Sequence, residues 1–276
     1  MLALVLTVPA GEVELASDAL WALGVVAVEE REPGDAHGTD DHLVELWTSL
    51  GDDVDTVTRA AEAFPARWRW RTVEVDAAIS ESWRAHAVPS WVERDLVIVP
   101  AWQDVSTEPD VLRIDIDPGA AFGLGDHPTT MLTLRLLRAV MWPDATVLDV
   151  GCGSGVLSVA AVRLGAPYVE AIDISAAAIH ATLANAARNG VAGAISASTR
   201  PLAEVTERFD IVLANLLAPT LLQLADKLRR VTADAGALIV SGILADRHEH
   251  VVDALAPMRV VETVTREGWA ALLLRH

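Results

Sequence analysis

Residues 147–157 read Val147-Leu148-Asp149-Val150-Gly151-Cys152-Gly153-Ser154-Gly155-Val156-Leu157. An apolar run of strand type gives way to glycines at alternate positions and then to the apolar residues that open a helix. Glycine is needed where the backbone turns into left-handed conformations or lies against a ligand with no room for a Cβ. The helix behind such a loop presents unpaired N–H groups and the positive end of its dipole, which suits a carboxylate. Outward from this stretch, Ala171-Ile172-Asp173-Ile174 puts an acid at the end of the next strand. Apolar strands are expected over 146–150, 169–173, 194–197, 211–214 and 237–241, separated by alanine- and leucine-rich helices and closed by an antiparallel pair near 259–264 and 269–274. That alternation describes a parallel sheet covered on both faces, so residues 111–276 are read as an α/β, Rossmann-like domain.

A carboxylate at the end of the second strand accepts hydrogen bonds from a ribose diol, and together with the glycine loop it points to an adenosine-bearing ligand. Two ligand classes use this arrangement. Dinucleotide sites favour G-x-G-x-x-G, in which the third glycine allows close helix packing under a pyrophosphate, whereas here G-x-G-x-G is followed by Val156 and Leu157. S-adenosylmethionine carries no phosphate; its amino-acid moiety needs close backbone approach and carboxylate or carbonyl partners, and the loop fits it better. A glycine loop without a ligand is the remaining alternative. Cys152, the only cysteine, reads as a small filler rather than a nucleophile. Upstream, 118–130 is a glycine-rich segment ending in Asp126-His127-Pro128-Thr129-Thr130 and leading into a helix over 131–140. Downstream, Phe209-Asp210-Ile211-Val212-Leu213-Ala214-Asn215-Leu216-Leu217 places Asn215 at the carboxyl end of the fourth strand, beside the switch point where ligands of open α/β sheets bind. Asn215 there suits pairing with a cofactor and a target amine, or equally a helix cap.

The first third has a different grammar. Strands are expected over 2–8, 25–31, 42–48 and 67–76, with helices over about 12–23, closed by Gly24, and about 52–64, and with a Gly/Asp-rich loop over 33–41. The order β-α-β-β-α-β permits a small ferredoxin-like α+β domain over residues 1–76. In its last strand Arg67, Arg69 and Arg71 alternate with Trp68, Trp70 and Val73, so the tryptophans are expected in a core and the arginines on the open side. Residues 77–110, with three prolines and Trp83, Trp91 and Trp102 around a strand-like 96–99, are read as a connector packed on both domains.

The 276 residues are 52% hydrophobic and 22% charged, which excludes a disordered chain and suits two domains. The net charge of −18 repels phosphate backbones, so nucleic acid is not expected as a direct partner and a basic protein is. Sixteen acids and five bases in residues 1–76 give that segment −11 of the total. A lone cysteine excludes an intramolecular disulfide and a multi-cysteine zinc site, as expected of a reducing compartment, and no metal is expected. No uncharged run approaches the about 18 residues of a membrane span. The apolar start, 1–10, lacks the cationic residues of a signal peptide, and Leu2, Leu4, Leu6 and Val8 alternate as a strand does, so a cytoplasmic protein is expected.

Over most of its length the chain resembles the ribosomal protein L11 methyltransferases, class I S-adenosylmethionine-dependent enzymes. The segment 122–130 is similar to the family's F-G-T-G-x-H-x-T-T, 148–157 to its first glycine motif, 214–217 to its A-N-[IL]-L, and Ser241-Gly242-Ile243-Leu244 to its S-G-I-L. The resemblance implies cofactor contacts at Thr130, Gly151, Asp173 and Asn215 and methylation of α-amino and lysine amino groups of that basic ribosomal protein; the −11 charge of residues 1–76, which hold none of the cofactor motifs, points to target recognition by the small domain. Leu124 departs from the pattern, standing where the family has threonine, so a hydroxyl contact from that position is missing. Methyl transfer to an amine requires orientation, a dry pocket and a neutral amine rather than an acid-base dyad. Carbonyls and the amide around 215–217 are expected to hold that amine, and His127 to order its loop rather than take a proton. A class I methyltransferase acting on another protein or a small molecule, and a non-catalytic S-adenosylmethionine-binding protein, remain the alternatives. Adenine methylation is disfavoured, because Leu216 and Leu217 replace the Pro-Pro-aromatic that stacks a flipped base.

Overall fold

The computed structural model describes residues 2–21, 28–31, 43–49, 64–74, 84, 87–119 and 124–276. The chain divides into two compact units, Met1–Ala87 and Val88–His276. Among the described residues no helix is long and apolar enough to cross a membrane.

In the first unit β1 (Leu2–Pro9) lies between β3 (Leu43–Ser49) and β4 (Arg69–Glu74), and β2 (Val28–Arg31) pairs with β3. All pairings are antiparallel, and the order β2-β3-β1-β4 is that of a ferredoxin-like sheet. Leu4, Leu6 and Val8 pack one face onto Ala16 and Leu20 of α1 (Val13–Trp21), together with Leu46 and Trp68. The last strand begins at Arg69, so Arg67 and Trp68 precede it rather than alternate within it. They are tied down instead: the Trp68 indole and the Arg67 guanidinium both donate to Glu12, at 2.6 and 2.8 Å, and hold its carboxyl below the usual range. Arg31 and Arg71 stack on Trp47 at 4.4 and 5.6 Å, and Arg71 also bonds Glu45. The loop expected over 33–41 and, apart from Phe64, the helix expected over 52–64 lie outside the described residues.

The second unit opens with a sheet that was expected only as a connector. The hairpin β5 (Ser90–Glu93) and β6 (Leu96–Pro100) continues in parallel pairing with β7 (Leu112–Ile116). Of the segment 77–110, residues to Ala87 group with the first unit and those from Val88 with the second. Leu96, Ile98, Ile114 and Ile116 are buried in one cluster with Leu134 and Leu137, which is why this stretch belongs to the larger core. Asp95 in the hairpin turn forms an ion pair with Arg138.

The main sheet contains β8 (Thr146–Val150), β9 (Tyr168–Ile172), β10 (Ile195–Ser198), β11 (Phe209–Asn215), β12 (Thr232–Leu244), β13 (Arg259–Arg266) and β14 (Trp269–Arg275), in the order β10-β9-β8-β11-β12-β14-β13. Pairing is parallel from β10 through β12 and antiparallel around β14. This is a Rossmann-like α/β sheet closed by an antiparallel pair. Alternation along the strands feeds two cores: Val147, Val169, Ile211 and Leu213 face one, with α2 (Pro128–Val140) and α3 (Val156–Arg163), while Leu148, Val150, Val212 and Ala214 face the other, with α5 (Ala218–Val231). Helices α4 (Ala176–Arg188) and α6 (Glu249–Ala254) complete the layers.

Two amides one turn apart at the end of α4 do the work of a missing strand. Asn185 accepts from the Asp117 N–H at 3.0 Å and donates to the Asp117 carbonyl at 2.8 Å; Asn189 does the same for Asp115 at 2.9 and 2.7 Å. Asn185 also donates to the Ser154 carbonyl in the glycine loop at 2.9 Å. Because Asn185 is fully buried, Asn185→Ala leaves backbone groups without partners. The variant should lose roughly 2 to 4 kcal/mol in urea unfolding, and Asn189→Ala, which is half-buried, should lose less.

Candidate functional site

The carboxyl ends of β8, β9 and β11 carry the residues singled out in the sequence. Gly151, Gly153 and Gly155 all have left-handed φ, at 76°, 54° and 80°. The loop they form folds back on β9: the Gly151 and Cys152 N–H groups donate to the Ile172 carbonyl at 2.8 and 3.1 Å, and Gly155 N–H donates to the Cys152 carbonyl at 2.7 Å. Gly151 is also a point of close approach, since a Cβ there would fall on the end of the Leu216 side chain.

Asp173 follows β9 and is half-buried. Its Oδ2 accepts from Gly153 N–H at 3.0 Å and its Oδ1 from Ser175 N–H at 2.9 Å. Each oxygen retains a further lone pair, so the group is both a loop anchor and an acceptor for a ligand. Ser175 in turn caps α4 by accepting from Ala178 N–H. Cys152 is closed off: burial pushes its thiol up, and the Thr182 hydroxyl lies 3.3 Å from its sulfur, which makes it filler and not a nucleophile.

Thr130 and Asn215 come together, with the Asn215 amide donating to Thr130 Oγ1 at 3.4 Å. Thr130 stands in the first turn of α2, whose N-cap is His127: the ring nitrogen Nδ1 lies 2.8 Å from Thr129 Oγ1 and accepts from Thr129 N–H at 3.3 Å. Burial lowers the His127 pKa, favouring the neutral ring that this cap requires, against the opposing charges of Asp126 and Glu267, and Trp269 meets it edge-on at 5.0 Å. The helix after Asn215 begins at Ala218, is preceded by Leu217 and has no side-chain cap, so the helix-cap alternative for Asn215 fails. Thr130, Gly151, Asp173 and Asn215 thus all lie at the carboxyl ends of the parallel strands or in the helix turn bonded to them. Gly123 and Phe122, from the upstream motif, lie outside the described residues. Among the described residues no group of three His, Cys, Asp or Glu is arranged to hold a metal.

One residue within the quoted stretch was passed over. Asp149 is fully buried in β8; its Oδ2 accepts from Ser158 at 2.6 Å, and its Oδ1 has no hydrogen-bond partner. Burial, with a smaller push from the negative charge of Asp173, raises its pKa to about 7 against the Ser158 hydrogen bond. An acid in an apolar strand two positions before the first loop glycine was the available signal. An acid whose folded pKa is raised stabilises the fold fully below its unfolded value near 4 and loses that contribution as pH rises to about 7. Asp149→Asn, which stays neutral, should therefore gain on the ligand-free wild type by about 1.4 kcal/mol per pH unit across that window. The gain should level off above it, as read from unfolding midpoints between acid and alkaline pH.

Comparison with known proteins bears on the same residues. The family model described as Ribosomal protein L11 methyltransferase matches residues 44–276. The ribosomal protein L11 methyltransferase of Geobacter sulfurreducens is 45% identical over 196 residues, covering 70% of this chain and 64% of that protein. That of Symbiobacterium thermophilum is 40% identical over 212 residues, covering 76% and 68%. The crystal structure of a ribosomal protein L11 methylase from Lactobacillus delbrueckii subsp. bulgaricus superposes with a TM-score of 0.64 at 36% identity, over 68% of this chain and 99% of that one. The chain thus spans slightly under two thirds of the length of the Geobacter relatives it matches. With the glycine loop, the Thr130–Asn215 pair and the seven-stranded sheet in place, the chain belongs to the ribosomal protein L11 methyltransferase family.

Proposed function

We propose that the protein transfers methyl groups from S-adenosylmethionine to the α-amino and lysine amino groups of large-subunit ribosomal protein L11. The observation that carries the reading is the meeting of Thr130 and Asn215 beside a left-handed glycine loop whose Gly153 is anchored by Asp173. The donor set fits the cofactor: Asp173 keeps acceptor capacity for ribose hydroxyls, and Asp149 has a buried oxygen without a partner beneath the loop. When bound, S-adenosylmethionine supplies an activated methyl group on a sulfonium, so the chain has to hold and orient rather than perform acid-base chemistry.

The roles divide accordingly. Gly151, Asp173, Thr130 and Asn215 bind the cofactor, and Asn215 with the carbonyls after it also directs the target amine. An α-amino group with a pKa near ~8 loses its proton readily at neutral pH, whereas lysine, near ~10.4, must first be desolvated. His127, capping α2 as a neutral ring, orders Thr130 rather than accepting the amine proton. Residues 1–76 serve as the target-recognition domain, and their −11 charge draws a basic ribosomal protein without direct nucleic-acid or membrane contact, in a cytoplasmic setting.

Calorimetry with S-adenosylmethionine, followed by radiolabelled methyl transfer to isolated L11, tests the reading. Asp173→Ala should weaken cofactor binding by about 1.5 to 3 kcal/mol or more, since it removes both a ligand acceptor and the anchor of Gly153. Asn215→Ala should lower turnover about tenfold, or ~1.4 kcal/mol, with little change in melting. Tight NADH binding in place of S-adenosylmethionine, or labelling of a different acceptor, would overturn the assignment. The rate of L11 methylation at low substrate should also fall with salt as the Debye length shrinks below about 10 Å, while the turnover number holds.

A further inference from the structure

The Ser241-Gly242-Ile243-Leu244 motif has no part in the cofactor site described above, yet its backbone lies against the loop after β11. The pairing of β12 with β14 slips at this point: Ser241 faces Ala271 and Ile243 faces Ala270, leaving Gly242 as the extra residue of a bulge. Its φ is 85°. Ser241 is fixed on two sides, accepting from Leu216 N–H through its carbonyl at 3.0 Å and donating through its hydroxyl to the Ala270 carbonyl at 2.8 Å. A Cβ on Gly242 would fall on the Leu216 carbonyl oxygen and lie 2.7 Å from the Leu216 carbonyl carbon. Those are backbone atoms, which cannot swing aside as a side-chain end does. On the opposite side the Leu216 side chain packs where Gly151 has no Cβ. Leu216 is therefore seated between two glycines, one under its peptide and one under its side chain.

We infer that Gly242 is a positioning residue for methyl transfer: by having no Cβ at the bulge, it lets the Leu216 peptide lie against β12 and so sets where the Leu216 carbonyl stands beside Asn215. This rests on the reading that the 215–217 loop holds the target amine. Gly242 touches neither reactant; it acts through Leu216. An added methyl moves the Leu216 peptide, whereas the bonds from Gly153 and Ser175 to Asp173 involve neither Leu216 nor Gly242, so the loss falls chiefly on turnover rather than on cofactor affinity. Misplacement of a reacting group on the ångström scale costs up to about a hundredfold in rate.

The test compares the full-length wild type with Gly242→Ala, Gly268→Ala and Leu216→Ala. Gly268 has φ of 80° with open space where its Cβ would go, so its alanine variant carries the left-handed strain without the collision. Three quantities are measured: cofactor affinity by calorimetry, kcat on L11, and hydrogen exchange at the Leu216 amide relative to that of Leu213 within β11. Gly242→Ala is expected to lower kcat about tenfold or more, to keep cofactor affinity within about threefold, and to speed exchange at Leu216 alone. Gly268→Ala is expected to change none of the three. Equal kcat in the two glycine variants overturns the inference, as does unaltered Leu216 exchange in Gly242→Ala. If wild type does not methylate L11, the functional reading fails by itself, and the exchange comparison decides whether Gly242 seats the peptide. Should Gly242→Ala not fold, exchange decides: the residue 216 amide is expected to stay as protected as that of Leu213 in wild type and in Leu216→Ala, which shortens a half-buried side chain and keeps the Gly242 seat, and fast exchange in either overturns the inference.

Discussion

The Asp173 carboxylate takes an N–H from each side, Gly153 in the loop after β8 and Ser175 at the start of α4, and the arrangement of the site depends on that pair of hydrogen bonds. A loop of left-handed glycines does not place its amides in a helix or ladder, so most of them need an acceptor from elsewhere, as Gly151, Cys152 and Gly153 do. A charged acceptor makes a stronger bond than a carbonyl does. With one anion bridging both turns, the ends of two neighbouring strands and the N-terminus of a helix become one rigid unit, and the remaining lone pairs face whatever the loop encloses. Removing the carboxylate disturbs the loop's shape and its chemistry together.

The same loop is held from behind. Asn185 reaches the Ser154 carbonyl and, with its other contacts, both backbone groups of Asp117, so the glycine loop and the segment leading toward Thr130 share one buried amide. Beneath them Asp149 is a buried acid with an unpartnered oxygen, the kind of perturbed group that clusters at functional sites. Structural order and chemical readiness oppose each other here. The amides of α4 stabilise the loop, while burial of Asp149 works against the fold at neutral pH.

Periodicity and glycine spacing made the main sheet legible. The strands over 146–150, 211–214 and 269–274 lie within β8, β11 and β14, because long apolar runs between helices have few other ways to be buried. The antiparallel order of the small domain followed from its strand sequence in the same way. Less legible was 88–117: Leu96–Pro100 reads as a lone strand, and its partner β7 is only five residues in which Arg113 and Asp115 interrupt the apolar pattern. Nothing local announces that two asparagines about seventy residues later complete that edge. Thr130, Gly151, Asp173 and Asn215 were singled out because each sits at a strand end or a helix start with a recognisable neighbour, Thr130 through the family resemblance alone. Asp149 was missed because its importance comes from burial, which alternation alone assigns to apolar residues, and the close approach of Leu216 to Gly151 and Gly242 because it leaves no trace in a leucine.

The pairing of β6 with β7 decides where this chain can be cut and rejoined. A chimera that exchanges the amino-terminal module at residue 110 would leave β7 without the strand it pairs with and strip Leu96 and Ile98 from a core shared with α2. It would also remove Asp95, the ion-pair partner of Arg138. A junction before Val88 keeps the hairpin with the sheet it stabilises. Recombination between relatives is therefore constrained by a short hairpin outside the glycine loop, and the transplantable unit is shorter than the change in sequence composition suggests.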